Sequence, residues 1–262
     1  MKNPYLPAAA KIERIVTETE DRNIKSFDLS FMKKADAEAF RFVPGQFAEI
    51  SISGKGEAPF GIASSPTEKG FLKFSVYKAG AVTTALHNLE EGEIIGVRGP
   101  LGNCYPLDAF EQKNVVVVSG GFAFTTLRSL TRYMLHEEHR SRFKDITVIY
   151  GARTPGLLLY KDELEEWEER DDLDLHVTID TAAEGWKGKV GFVPAITKDI
   201  APSSEDAYVL VCGPPIMIKF TIPVLQELGF LSENIILSLE MRMKCGIGMC
   251  GRCNIGSQYV CK

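Results

Sequence analysis

Four of the chain's six cysteines lie in its last eighteen residues, in the run Cys245-Gly-Ile-Gly-Met-Cys250-Gly-Arg-Cys253 and then at Cys261. The spacing C-x4-C-x2-C-x7-C is one with which four thiolates hold the two irons of a [2Fe–2S] cluster. The intervening glycines suit that chemistry. A loop wrapped around an inorganic cluster must turn its N–H groups toward sulfur, and Gly246, Gly248 and Gly251 can adopt the positive φ this demands. Lys244 and Arg252 would offset part of the thiolate charge. Two other chemistries stay open. A zinc ribbon normally pairs two CxxC knuckles across a longer spacer, and here there is one tight pair. A disulfide framework belongs to exported chains, and the first residues contain no apolar run of signal-peptide length. Cys104 and Cys212 stand alone and read as packing thiols.

The 262 residues are enough for two domains and a short appendage. The net charge is −5, which leaves no basic stripe for nucleic acid. No apolar stretch approaches the roughly 20 residues of a membrane span. Clustered cysteines without an export signal lead us to expect a reducing, cytoplasmic setting.

The elements that must position this chemistry fall into two textures. From Lys11 to Leu107, short alternating segments separated by Gly and Pro predict a small antiparallel barrel. The strands expected are Ile12–Thr19, Ile24–Phe31, one after a turn within Phe42–Ile52, Gly70–Lys78 and Glu93–Gly99. The one helix expected there follows Gly80, at Val82–Leu89, and a helix start of this kind leaves N–H groups free for a phosphate. From Asn114 onward the texture changes. The run Val115-Val-Val-Val118 reads as a strand buried on both faces. It is followed by helix Thr125–Leu135, strand Ile146–Tyr150, helix Lys161–Trp167, strand Leu173–Ile179, strand Ala207–Cys212, helix Ile216–Leu228 and strand Asn234–Leu239. Strands alternating with helices predict a doubly wound parallel α/β sheet. We therefore expect three units: a barrel at 1–107, the parallel-sheet domain at 108–238 and a cysteine segment at 239–262.

In an open α/β sheet, ligands bind beyond the carboxyl ends of the strands. Ser119-Gly-Gly121, Gly151-Ala-Arg153 and Cys212-Gly-Pro214 fall there and suggest a nucleotide, with Arg153 available to a phosphate. None of the four histidines reads as an acid or base.

This order of parts resembles the ferredoxin–NADP reductase superfamily. Within it, the chain is similar to the flavin and iron–sulfur electron-transfer subunits of dihydroorotate dehydrogenase, anaerobic sulfite reductase and sulfhydrogenase. The likeness is carried by Pro44-Gly-Gln-Phe47, Ala58–Ser65, Gly80–Thr83, Gly99–Asn103, Tyr150–Pro155, Leu159–Leu164, Cys212–Met217 and the cysteine loop. It implies FAD in the barrel, NAD(P)H in the second domain, [2Fe–2S] on Cys245, Cys250, Cys253 and Cys261, and a redox partner subunit in a hetero-oligomeric complex. It would place Pro59, Phe60, Gly61, Ile62, Ala63 and Ser64 along the flavin. Val76, Tyr77 and Lys78 would lie near its ribityl and adenosine portions, and Gly80, Val82, Thr83 and Thr84 around its pyrophosphate. Gly120, Gly121, Arg153, Cys212, Gly213 and Pro214 would meet the dinucleotide, and Glu240 would come near the flavin. No residue is assigned a catalytic role.

The chain departs from the family's pattern in two places. The loop Gly-Gly-x-Gly-x-x-Pro is here Gly120-Gly-Phe-Ala-Phe-Thr-Thr126. Ala123 thus replaces a glycine, at a cost of about 1 kcal/mol if that position needs positive φ, and Thr126 replaces the proline. In the flavin motif Gly61 stands where a serine is usual, and Ala58 where an arginine often begins the motif. We expect NAD(P)H chemistry to be retained. The competing expectation is a flavin-to-cluster conduit that has lost nicotinamide binding. A third, from another class, is a zinc-stabilised binding module.

Overall fold

The computed structural model describes residues 3–262. Its first half holds β1 (Ala8–Thr17), β2 (Ile24–Phe31), α1 (Lys34–Ala39), β3 (Phe47–Ile52), β4 (Gly56–Gly61), β5 (Leu72–Tyr77), α2 (Ala81–His87) and β6 (Ile94–Leu101). Among the described residues these strands form an antiparallel six-stranded barrel in the order β4-β3-β6-β1-β2-β5. Alternation decides what fills it. Ala10 and Ile12, Phe27 and Leu29, Ala48 and Ile50, Phe74 and Val76, and Ile95 and Val97 point inward two by two into one core, as the two-residue period of a strand requires.

The second half holds β7 (Asn114–Gly120), α3 (Phe124–Leu135), α4 (Glu137–Arg140), β8 (Ile146–Ala152), α5 (Lys161–Glu168), β9 (Asp174–Ile179), β10 (Lys189–Val190), α6 (Val193–Ile200), β11 (Ala207–Cys212), α7 (Pro215–Glu227) and β12 (Ile235–Leu237). Their sheet is parallel, in the order β10-β9-β8-β7-β11-β12. The valine run of β7 shows why a strand can be apolar throughout. Val115 and Val117 join the core formed with Leu127 and Leu130 of α3 and Leu164 of α5. Val116 and Val118 join the core on the opposite face, with Val193 of α6 and Met217 and Leu225 of α7. A short hairpin, β13 (Asn254–Ile255) and β14 (Gln258–Tyr259), closes the C-terminal segment. Among the described residues no helix is long and apolar enough to cross a membrane.

Several elements differ from expectation. Helix α1 buries none of its residues, so it has no apolar stripe to betray it. Helix α6 does have one, at Val193, Ile196 and Thr197, and the reading overlooked it together with the two-residue β10. Strand β12 is shorter than expected because Ser232–Asn234 form a 3-10 turn before it. Cys104 is exposed, whereas Cys212 is buried, so only the second is a packing thiol.

Candidate cofactor site

From β7 the sheet extends to β8 on one side and to β11 on the other. The carboxyl ends of these three strands therefore meet where the winding reverses, the place at which such sheets bind ligands. Their glycines are not equivalent. A Cβ on Gly120 would lie 2.5 Å from Met217 Sδ, and one on Gly213 or Gly151 would overlap Met217 or Val193. These three glycines admit the helices packed on the sheet. Gly121 has φ +59° and open space where a Cβ would stand, so its backbone faces outward at the switch. Pro214 caps α7 and is exposed, and Arg153, also exposed, acts on Asp180.

Ala123 sits at φ −64°, ψ −16°, in the right-handed helical region. The expected backbone penalty for a methyl there does not arise, because Gly121–Ala123 forms a 3-10 turn running directly into α3. The premise that this substitution strains the loop is corrected.

In the barrel, the segment Pro59–Ser64 runs off the end of β4. Phe60, Ile62, Ala63 and Ser64 are buried, and Gly61 is half-buried. The backbone of this strip is tied to the second domain: Ala63 O accepts from Arg128 Nη1 at 2.6 Å and Ser64 O from Ser129 Oγ at 2.7 Å. Gly61 faces Thr126, and the Thr126 hydroxyl lies 3.7 Å from Cys212 Sγ. Burial pushes the Cys212 thiol up, the hydroxyls of Thr126 and Ser238 pull it down, and the charge of the exposed Glu240 raises it again. Gly61 and Cys212 are thus bridged by Thr126 across the two halves. Tyr77 is 6.2 Å, centroid to centroid, from Phe122. Val76 instead points into the barrel core, while Lys78 is exposed, its N–H donating to Asn23 O.

At the start of α2, Gly80 is exposed, with nothing within 4 Å of a built Cβ. The Thr83 hydroxyl accepts from the N–H groups of Ala79 and Gly80 at 2.9 and 2.8 Å. That hydroxyl bonds within the turn itself. Val82 and Thr84 are half-buried in the same turn.

The cysteine loop packs on the barrel. Gly246 abuts Leu101 and Phe47, and Phe47, Cys253 and Cys261 form a small apolar cluster. Gly246, Gly248 and Gly251 have φ of +70°, +73° and +69°. The N–H groups of Ile247, Met249 and Cys250 donate to Cys245 Sγ at 3.5, 3.3 and 3.4 Å, and that of Gly248 donates to Cys261 Sγ at 3.3 Å. Burial resists ionisation of Cys245, but these donors bring its thiol down to about 6. Burial and the neighbouring Cys253 push Cys261 up to about 11. Four cysteines in one segment, with N–H groups aimed at two of their sulfurs, fit a two-iron cluster. Among the described residues, no three His, Cys, Asp or Glu side chains converge to hold a single metal ion.

Residues 10–105 match the oxidoreductase FAD-binding domain, and residues 117–222 the oxidoreductase NAD-binding domain. The gamma subunit of sulfhydrogenase 1 from Pyrococcus furiosus is 36% identical, over 99% of this chain and 90% of its own. The chain belongs to the ferredoxin–NADP reductase superfamily. A probable electron-transfer subunit of dihydroorotate dehydrogenase B (NAD(+)) from Methanocaldococcus jannaschii is 31% identical, over 97% of this chain and 86% of its own. Among solved structures, the NADH-dependent reduced ferredoxin–NADP oxidoreductase superposes with a TM-score of 0.70 at 29% identity, covering 97% of this chain and 83% of its own. The Amycolatopsis cytochrome P450 reductase, at 20% identity and TM-score 0.74 over 88% of this chain and 68% of its own, shares the fold.

Sequence reasoning missed the residues that join the parts of this reductase-type chain. Arg128 of α3 is 1% exposed. It holds both oxygens of Glu68 at 3.0 Å, reaches Glu163 at 2.5 Å and covers the ring of Tyr160. Arg98 of β6 binds Glu57 at 2.7 Å and donates to Cys245 O at 2.8 Å. A buried arginine is indistinguishable from a surface cation in a bare sequence. The one available signal was the position of Arg128 on the apolar face of α3.

Proposed function

We propose that this oxidoreductase chain is the electron-transfer subunit of a multi-subunit redox complex in the cytoplasm. It passes electrons between NAD(P)H, FAD, a [2Fe–2S] cluster and a partner subunit. Its units are the FAD barrel at 1–107, the dinucleotide domain at 108–238 and the cluster segment at 239–262. The observation that carries this reading is contiguity. Gly61 of the Pro59–Ser64 strip meets Thr126 in the first turn of α3, which lies beside Cys212 at the end of β11, and Arg98 of the same barrel grips the cysteine loop.

When bound, FAD would take up the two electrons of a hydride and release them singly to the one-electron cluster. The protein's part is positional. The backbone of Pro59–Ser64 would carry the flavin, and in the turn from Gly80 to Thr84 the N–H groups of Val82 and Thr83 would be presented to its phosphates, the N–H groups of Gly80 and Thr84 closing the turn. The open backbone at Gly121, with Arg153 and Cys212–Pro214 beside it, would receive the dinucleotide. Cys245, Cys250, Cys253 and Cys261 would hold the irons, their charge moderated by loop N–H groups. Glu240 extends the set beside Cys212. The conduit alternative, without nicotinamide binding, loses its premise of a strained loop at Ala123.

The test is an anaerobic titration of the purified chain with NADH and then NADPH, followed by visible absorption and low-temperature EPR. Flavin bleaching with a reduced-cluster signal is the expected result. If dithionite reduces both centres and neither nucleotide does, the chain is a conduit. A colourless chain containing zinc would overturn both readings.

A further inference from the structure

Two departures from the family's pattern, Gly61 in the flavin strip and Thr126 in the dinucleotide loop, lie 65 positions apart in sequence (126 minus 61) and touch in the fold. A Cβ placed on Gly61 would overlap Thr126 Cγ2 and lie 3.7 Å from Thr126 Cβ. The threonine methyl therefore occupies the space that any side chain at position 61 would take. Its hydroxyl is turned the other way, outside 4 Å of that Cβ position. That hydroxyl donates to Ala123 O at 3.2 Å and lies 3.7 Å from Cys212 Sγ. Beside it, Tyr105 Oη is buried and turned toward Thr126 and Ser238 without closing a hydrogen bond to either.

We propose that Gly61 and Thr126 are one compensated pair, and that Thr126 is a positioning residue for the flavin site supplied by the opposite domain. Its methyl seats in the Gly61 notch and locks the strip against α3. Its hydroxyl, held by Ala123 O beside Cys212, fixes the rotamer that keeps the methyl in the notch and so sets the strip against the flavin. The hydroxyl half of this inference rests on the flavin assignment above, whereas the notch half does not.

The test uses the full chain carrying its cofactors. Gly61→Ala should lower the Tm by about 5 °C, because the added methyl overpacks a filled notch. Thr126→Ser in the same chain removes the obstructing methyl and should recover at least half of that loss. Thr126→Val keeps the notch filled and should stay within a few degrees of the parent, yet displace the flavin's visible absorption maxima. A double variant no more stable than Gly61→Ala overturns the pairing. A Thr126→Val spectrum identical to the parent's overturns the role of the hydroxyl. A parent chain that binds no FAD overturns the functional reading and the hydroxyl's role with it, and the temperature cycle still decides the notch.

Discussion

Glu49 is 1% exposed, and neither of its carboxylate oxygens has a hydrogen-bond donor. The nearest cation, Arg98, is 3.8 Å away and already engaged with Glu57. Burial raises the Glu49 carboxyl to about 7, against the pull of Arg98 and with a further push from Glu57. A raised folded value means that the native state keeps a proton the unfolded chain gives up. The contribution of Glu49 to stability is therefore intact below about pH 4.5 and is lost as pH climbs through 7. We predict that Glu49→Gln matches the parent in urea unfolding at low pH and is the more stable of the two at pH 8. A parent profile no steeper than the variant's between pH 5 and 8 would count against this. Among the cysteines, Ser in place of Cys245, Cys253 or Cys261 should abolish the visible cluster bands and the roughly two irons per chain, as measured by iron analysis. The same change at Cys104 should leave both intact.

At the scale of elements, α3 and β6 each carry one buried arginine that does what no backbone pairing does. Arg128 joins α3 to the Pro59–Ser64 strip and to α5 through Ala63 O, Glu68 and Glu163. Removing one partner of a buried ionic group leaves the others unpaired, at a cost of about 3–5 kcal/mol. Arg128→Met should therefore lower the unfolding free energy by that order in a urea titration, and Arg128→Lys should recover only part of it. Arg98 fastens the cysteine loop by its carbonyls at Lys244 and Cys245. In Arg98→Met the loop keeps its thiols and loses its clamp, so the cluster bands should bleach faster in air than the parent's, followed by absorbance. Most strands were legible in the sequence, because alternation and the Val115–Val118 run encode which faces are buried, but β4, which carries Glu57, was not expected. The connections were not legible, because an arginine's partners in β4, α5 and the C-terminal loop are set by packing between elements remote in sequence.

At the scale of the whole molecule, the junction between the two domains is ionic and hence sensitive to acid. Burial works to raise the Glu68 carboxyl, but the hydrogen bonds and charge of Arg128 outweigh it and hold it below the usual value. A depressed folded value stabilises the native state above about pH 4.5, and that contribution is lost as pH falls through the folded value. We predict that the parent's stability advantage over Glu68→Gln, measured by thermal unfolding, is largest near neutrality and narrows steadily below pH 4.5. An advantage independent of pH would show that Glu68 contributes packing alone.

The sequence by itself determined the two-part architecture, since strand alternation and βαβ rhythm are local patterns with a fixed physical meaning. It also determined the cysteine loop, where spacing and glycines at 246, 248 and 251 leave few other ways to turn N–H groups onto sulfur. Only the tertiary structure decided which glycines are packed against and which is left open. Gly120, Gly151 and Gly213 look the same in sequence as Gly121, yet the first three are filled by side chains from α6 and α7. It alone showed Ala123 to be unstrained, because a 3-10 turn at Gly121–Ala123 leads straight into the helix. It alone brought Thr126 onto Gly61, since two substitutions far apart in the chain can compensate only when folding makes them neighbours.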